Sequence, residues 1–276
     1  MLSAESEGGQ RKCHPYWIPD TYGSMKLKHI SEKKVALSSS STLNLKTPDN
    51  FKSPLLTPQP ERSTPRRQRA TTSINPFGQD TPKDIPDEVP YVVVRTMTLS
   101  HTSFPFQSMR EITQIQYSHW PDFGAPAHPS DLLGLVEHTN TIVRKYNGTS
   151  KEAAHLPAAP GERPILIHCS AGCGRTGTFC TVDSVIDMLK RQRQATKAPK
   201  SIDEGNDEMD VDREEWVRSD EHDLIRNTVD DFRHQRLSMV QTLRQYVLCY
   251  ETILEWLVKE VPEKYRREAL RRSYGG

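Results

Sequence analysis

The stretch PILIHCSAGCGRTG, residues 164–177, constrains this chain more than any other part of it. Pro164 to Ile167 is a short apolar run of the kind expected for a strand buried on both faces. A glycine-containing loop follows, and helical spacing is expected from Thr176 to about Arg191. Strand, loop and helix in that order predict an α/β fold. They place the loop at the carboxyl end of a buried strand, where open α/β sheets bind their ligands.

The loop runs Cys169, Ser170, Ala171, Gly172, Cys173, Gly174, Arg175, with Thr176 opening the helix. A loop of this length can wrap one tetrahedral anion, its amides pointing inward and the helix N-terminus adding partial positive charge. Gly172 and Gly174 permit curvature that a Cβ would block. Arg175 closes the ring with a planar fork that grips two oxygens, a geometry lysine lacks. The same field acts on Cys169. A free thiol titrates near ~8.5, and at a cationic helix N-terminus it falls to ~3.5–7.5. A shift of about three units is worth about 4 kcal/mol of preference for thiolate. Cys169 is then a nucleophile needing no dedicated base, and the Thr176 hydroxyl can stabilise the sulfur as it leaves. His168 is expected to order the loop by hydrogen bonding. The bland alternative is a Cys-Gly turn that ends in arginine, since buried cysteine is often mere packing. The order of these groups between strand and helix favours the anion loop.

The rest of the chain is uneven. Of 276 residues only 34% are hydrophobic, and 20 are proline. Residues 1–30 include an alternating run from Tyr22 onwards that suits a short strand. Residues 31–89 carry eight prolines and are expected to be disordered, because they bury too little apolar surface to offset ordering entropy. Residues 90–192 form the predicted core. YVVVRTMTL and EITQIQY read as paired strands, and Ser130 as the cap of a helix from Asp131 to Tyr146. Residues 193–220 form a polar insert with eight acids and one arginine between Asp203 and Glu215, which reads as a solvated loop. Residues 221–262 read as two helices with a turn near Leu237-Ser238, and 263–276 as a tail. The net charge of +1 gives no bulk electrostatic pull towards nucleic acid or membrane, and no apolar run reaches the ~20 residues of a bilayer span. Five cysteines, three within twelve residues, do not make a disulfide framework, which suits a reducing cytoplasmic or nuclear location. No metal-ligand cluster or cofactor signature adjoins the loop.

HCSAGCGRTG resembles the signature of the cysteine-dependent phosphatases, and with the following Thr178-Phe179 it is similar to the tyrosine-specific branch. Trp120-Pro121-Asp122-Phe123-Gly124, 47 positions before Cys169, resembles that family's mobile acid loop. The resemblance implies a twisted mixed sheet flanked by helices and hydrolysis of phosphotyrosine on proteins through a phosphocysteine. It implies that Asp122 protonates the leaving phenolate and then activates water. Ser238-Met239-Val240-Gln241-Thr242 resembles the loop whose glutamine positions that water, with Gln241 in the role and Gln245 as a lesser helper. Arg233 and Arg236 match positions that buttress the phosphate loop. Glu7, with the segment Lys12 to Trp17, resembles the glutamate loop that holds Arg175 in register. The matching covers roughly residues 7–30, 91–190 and 221–260.

The family's tyrosine-recognition loop lies upstream of the glutamate loop, so the resemblance also implies an incomplete N-terminal part. A catalytically weak phosphopeptide-binding or regulatory module is therefore the alternative function. A dual-specificity phosphatase is a third, disfavoured by WPDFG and the Gln241 loop. The expected partners are phosphotyrosine-containing proteins. Analogy with relatives carrying such inserts adds mitogen-activated protein kinases. Lys33 to Leu37 faintly resembles a kinase-docking peptide. Five Ser-Pro or Thr-Pro steps, at Thr47, Ser53, Thr57, Thr64 and Thr81, are potential sites of proline-directed phosphorylation. Cys173, four residues from Cys169, is either a small filler or a partner for oxidised Cys169.

Overall fold

The computed structural model describes residues 1–37, 89–148, 155–159, 164–197 and 222–260. The Ser/Thr-Pro steps, the acidic run 203–215 and the tail 263–276 lie outside the described residues. Six strands come first: β1 (Ser6–Glu7), β2 (Gln10–Arg11), β3 (Thr21–Tyr22), β4 (Met25–Ala36), β5 (Tyr91–His101) and β6 (Arg110–Gln116). Four helices are named here α1 (Pro129–Tyr146), α2 (Gly174–Lys197), α3 (Leu224–Gln235) and α4 (Leu243–Glu260).

β1 and β2 make a small hairpin, and the main sheet has the order β3-β4-β5-β6 with antiparallel ladders throughout. Among the described residues, parallel pairing is found at Met1. Its nitrogen donates to the Ile115 carbonyl at 2.8 Å, and its carbonyl accepts from the Tyr117 amide at 2.9 Å, the spacing of a parallel pair beside Gln116. β5 is the β-branched run read from sequence, with Val92, Val94 and Met97 buried.

Arg95 ties three strands together. It is 8% exposed and donates to Glu32 on β4 and to Gln114 and Gln116 on β6. Its guanidinium also lies 4.7 Å from the Trp17 ring, which fixes the segment carrying Tyr16 over the sheet.

α2 runs through the centre, packed against α1, α3 and α4. Val182 and Val185 on α2 meet Leu132, Leu135 and Val136 on α1 and Leu248 and Ile253 on α4 in one cluster. Each such aliphatic side chain stabilises by about 1.5–3 kcal/mol when fully buried.

Four sequence expectations change. Pro164 to Ile167 forms no strand with the described residues, and Leu166 is 89% exposed, so it is not a strand buried on two faces. A strand needs neighbours, and among the described residues the nearest backbone bond falls just beyond this segment, from the Leu2 amide to the His168 carbonyl. The α1 N-cap is His128, not Ser130, because Pro129 at the first helical position starts the helix and Asp131 accepts from the His128 amide. β4 continues to Ala36, six residues into the stretch read as disordered, because Lys33, Lys34 and Val35 pair with Val94, Val93 and Val92. The Lys33–Leu37 motif is thus part of a ladder, and Leu37 closes it with a bond to the Pro90 carbonyl. α2 reaches Lys197, past the boundary at 192.

Candidate active site

The loop from His168 to Gly174 ends where α2 begins, so the first-turn amides of the helix face back into it. Cys169 is buried at its start and takes a bond from the Gly172 amide at 3.2 Å. Burial alone would raise the thiol pKa. Hydrogen bonds from the Thr176 hydroxyl and amide and from the amides of Gly172 and Cys173 outweigh it, holding the thiol below its usual range. Gly172 sits at φ +71°, a left-handed backbone that lets its amide turn inward. Ser170 and Ala171 complete the curve, and the Ala171 carbonyl accepts from Arg236 at 2.9 Å.

Arg175 is 1% exposed, and its guanidinium meets three residues on two other segments. Nη1 donates to Glu7 Oε1 at 2.5 Å and to the Trp120 carbonyl at 2.9 Å, and Nη2 donates to Asp122 Oδ1 at 3.1 Å. Asp122 also receives Lys12 Nζ at 3.1 Å on its other oxygen. Trp120 anchors the acid loop, fully buried and donating from Nε1 to the Gly124 carbonyl. A Cβ on Gly124 would stand 2.7 Å from Pro121 Cγ, so the turn closes only on glycine. A carboxylate on the arginine fork shows that this fork engages anionic oxygens.

His168 bonds through Nε2 to the Tyr16 hydroxyl at 2.7 Å and through Nδ1 to the Cys169 carbonyl. Burial, the chief cause, lowers its pKa, so the ring is neutral near pH 7 and orders the loop's entry.

The glutamine loop packs directly on the start of α2. A Cβ on Gly177 would meet the Val240 nitrogen at 2.6 Å, and one on Gly174 would meet Gln241 Oε1 at 2.8 Å. Gln241 thus lies over the phosphate loop. Gln245 is more central than the sequence suggested. It is 1% exposed, accepts from the Gln241 and Thr242 amides, and donates to the Gly124 carbonyl. The two arginines divide their work. Arg236 braces the phosphate loop at Ala171 and Cys173, whereas Arg233 holds the glutamine loop by the carbonyls of Met239 and Val240. Arg233 reaches the phosphate loop only through the Val240 amide, which donates to the Cys173 carbonyl.

Cys169, Arg175, Asp122, Glu7 and Gln241 are thereby brought into one site from four segments. Sequence reasoning missed Lys12 and Tyr16 as contacts. Their one available signal was that both lie in the same short segment as the family-like Lys12 to Trp17.

The sequence model described as protein-tyrosine phosphatase matches residues 82–255. Tyrosine phosphatase H3 of Microplitis demolitor bracovirus is 29% identical over 59% of this chain and 40% of its own length. Tyrosine-protein phosphatase 3 of Saccharomyces cerevisiae is 33% identical over 52% of this chain and 14% of its own. Human tyrosine-protein phosphatase non-receptor type 9 is 30% identical over 55% and 20%. The chain therefore spans less than half the length of each. A solved structure of PTPN18 in complex with HER2-pY1248 phosphopeptides covers 92% of this chain and 60% of that one, with a TM-score of 0.50 at 22% identity. A second PTPN18 structure superposes with a TM-score of 0.51 at 23% identity, and both likenesses concern the fold.

Proposed function

The chain belongs to the protein-tyrosine phosphatase family, and from that premise we propose that it hydrolyses phosphotyrosine on proteins through phospho-Cys169, with no metal or cofactor. In the first step the Cys169 thiolate attacks phosphorus. An S–P bond forms, the P–O bond breaks, and Asp122 gives its proton to the departing phenolate. In the second, Gln241 positions a water, Asp122 takes its proton, and the water oxygen bonds to phosphorus as the S–P bond breaks, releasing inorganic phosphate and thiolate. The loop amides from Ser170 to Gly174 and the Arg175 fork carry the phosphoryl charge throughout.

The observation that carries this reading is the shared guanidinium. Arg175 Nη2 holds Asp122 at 3.1 Å in the same site as a thiol of lowered pKa. Phosphate binding would exchange the Asp122 carboxylate for a phosphoryl oxygen on that fork and free the acid for the leaving group. The phosphopeptide-binding alternative keeps the same anion loop without turnover. Cytoplasmic or nuclear signalling proteins are the proposed substrates, with mitogen-activated protein kinases as one class to test. No described helix is long and apolar enough to cross a membrane.

Turnover of p-nitrophenyl phosphate and of phosphotyrosine peptides, a mitogen-activated kinase activation-loop peptide among them, tests the proposal. Cys169→Ser should abolish turnover. Asp122→Ala should slow it by about 10²–10⁴-fold while keeping phosphopeptide binding. A folded wild-type chain that binds phosphopeptide without releasing phosphate would establish the alternative.

A further inference from the structure

Arg95 lies on β5, outside the phosphate loop, and the sense of each of its hydrogen bonds is fixed, because a guanidinium only donates. Nη1 therefore faces side-chain oxygens on Gln114 at 2.8 Å and Gln116 at 2.7 Å, while Nε meets the Glu32 carboxylate at 2.5 Å. Gln114 is itself 6% exposed and is also hydrogen-bonded to the Tyr16 hydroxyl. With its oxygen held by Arg95, Gln114 has its amide nitrogen left for that bond, and the Tyr16 oxygen accepts. The Tyr16 proton then points the other way, to His168 Nε2 at 2.7 Å. The same guanidinium lies 4.7 Å from the ring of Trp17, the next residue, and so holds Tyr16 from a second side.

The far end of this relay dictates the same sense. A carbonyl only accepts, so His168 Nδ1, 3.2 Å from the Cys169 carbonyl, bonds to it only when it carries the hydrogen. In a neutral ring that leaves Nε2 bare, an acceptor for Tyr16. A Gln114 side chain turned over would reverse every link. Its oxygen would take the Tyr16 proton, Nε2 would have to donate, and a bare Nδ1 would confront the Cys169 carbonyl, acceptor against acceptor.

We propose that Arg95 is a positioning residue for the nucleophile, keeping the His168 proton on Nδ1 through Gln114 and Tyr16 so that the Cys169 carbonyl stays tied at the entry to the phosphate loop. This rests on the reading of Cys169 as nucleophile and adds a residue that acts on it only through intermediaries.

The test is nitrogen-15 NMR of the imidazoles in the full chain with labelled histidine, the His168 signals being identified by their loss in His168→Asn. The wild type is expected to show a protonated Nδ1 and a bare Nε2. Gln114→Glu keeps the acceptor for Arg95 and removes the donor to Tyr16, so the proton should move to Nε2. Its kcat/KM for p-nitrophenyl phosphate should fall about tenfold, the order expected when one positioning hydrogen bond is lost. Gln116→Glu sets the same charge against the same guanidinium but off the relay, and should leave the tautomer as in the wild type. Arg95→Met keeps bulk against Trp17, frees Gln114 to turn, and should mix the two tautomers.

A wild-type proton on Nε2 overturns the proposal, and so does a Gln114→Glu chain that retains the wild-type tautomer. Equal changes in Gln114→Glu and Gln116→Glu would trace the effect to charge, and a moved proton with unchanged kcat/KM would separate the relay from the nucleophile; either overturns it. Should one variant not fold, the wild-type tautomer and the other variant still decide. The tautomer is read without turnover, so failure here is distinct from failure of the catalytic proposal.

Discussion

The side chain of Gln245 donates to the carbonyl of Gly124, 121 positions away, at 3.3 Å, while its oxygen accepts the Gln241 amide at 3.1 Å. One buried amide thereby links the acid loop to the glutamine loop, so the residues proposed for the two chemical steps share a support.

Replacing Gln245 with alanine should therefore disturb both steps. The stranded amides and carbonyl cost about 1–3 kcal/mol. For a domain of this size that is a fall of roughly 2–10 °C in melting temperature. Turnover of p-nitrophenyl phosphate should drop about tenfold, the order expected when a positioning contact shifts by a fraction of an ångström. Gln245→Glu, which keeps the acceptor and loses the donor, should preserve the glutamine loop and injure chiefly the acid step. Pre-steady-state release of nitrophenol against phosphate separates the two.

The ion pair between Glu7 and Arg175 joins a half-buried carboxylate to a guanidinium only 1% exposed. Glu7→Gln should cost about 1.5–3 kcal/mol, the range for a hydrogen bond to a charged group. The expected kinetic sign is a lower kcat with a higher KM, because the fork loses its register for phosphate. Thermal melting and steady-state kinetics measure both.

Thiol titration gives a third expectation. Iodoacetamide should alkylate Cys169 with a midpoint below that of an ordinary thiol, and Thr176→Val should move that midpoint upwards. Cys180 and Cys249, which burial pushes up to about 11 and about 12, should stay unmodified near neutral pH. The linkage sign follows from a lowered folded value. The thiolate's contribution to stability is full above the unfolded pKa and is lost as pH falls through the folded one. Cys169→Ser should remove that part of the pH dependence in denaturant melts. An ordinary midpoint for Cys169 in folded protein would remove the basis of the catalytic proposal.

Gly177→Ala places a methyl 2.6 Å from the Val240 nitrogen, backbone that cannot swing aside. Overpacking of this kind costs typically about 1–3 kcal/mol. Activity should fall further than stability, because the displaced segment is the glutamine loop itself. Comparing kcat with the melting temperature across Gly177→Ala and Gly177→Ser checks this.

The site was legible where its chemistry is local. Cys169, the loop glycines and Arg175 stand in one run, and Asp122 sits in a short motif with its own tryptophan anchor. Contacts made across the chain were not legible in residues alone. Glu7 lies 168 positions from Arg175, and only the family resemblance joined them. The division between Arg233 and Arg236 depends on how the chain reverses after α3, with Ser238 at φ 64° and Val240 at φ 57°, a backbone state that no propensity scale assigns to a branched residue. Pro164 to Ile167 misled for another reason. Apolar, strand-like composition describes what a segment prefers, whereas pairing depends on what lies beside it.

The bond from the Leu37 amide to the Pro90 carbonyl, 2.8 Å long, means that the excursion between them leaves and re-enters the sheet through a single doorway. Its length is thereby uncoupled from the architecture. Deleting residues 38–89 and bridging the gap with an Asn-Gly turn should leave the β4–β5 register untouched, and each halving of the span should add roughly 0.6 kcal/mol through the lower cost of closing it. Variants of this chain that differ only in the length of this excursion are expected to keep the same β4–β5 ladder.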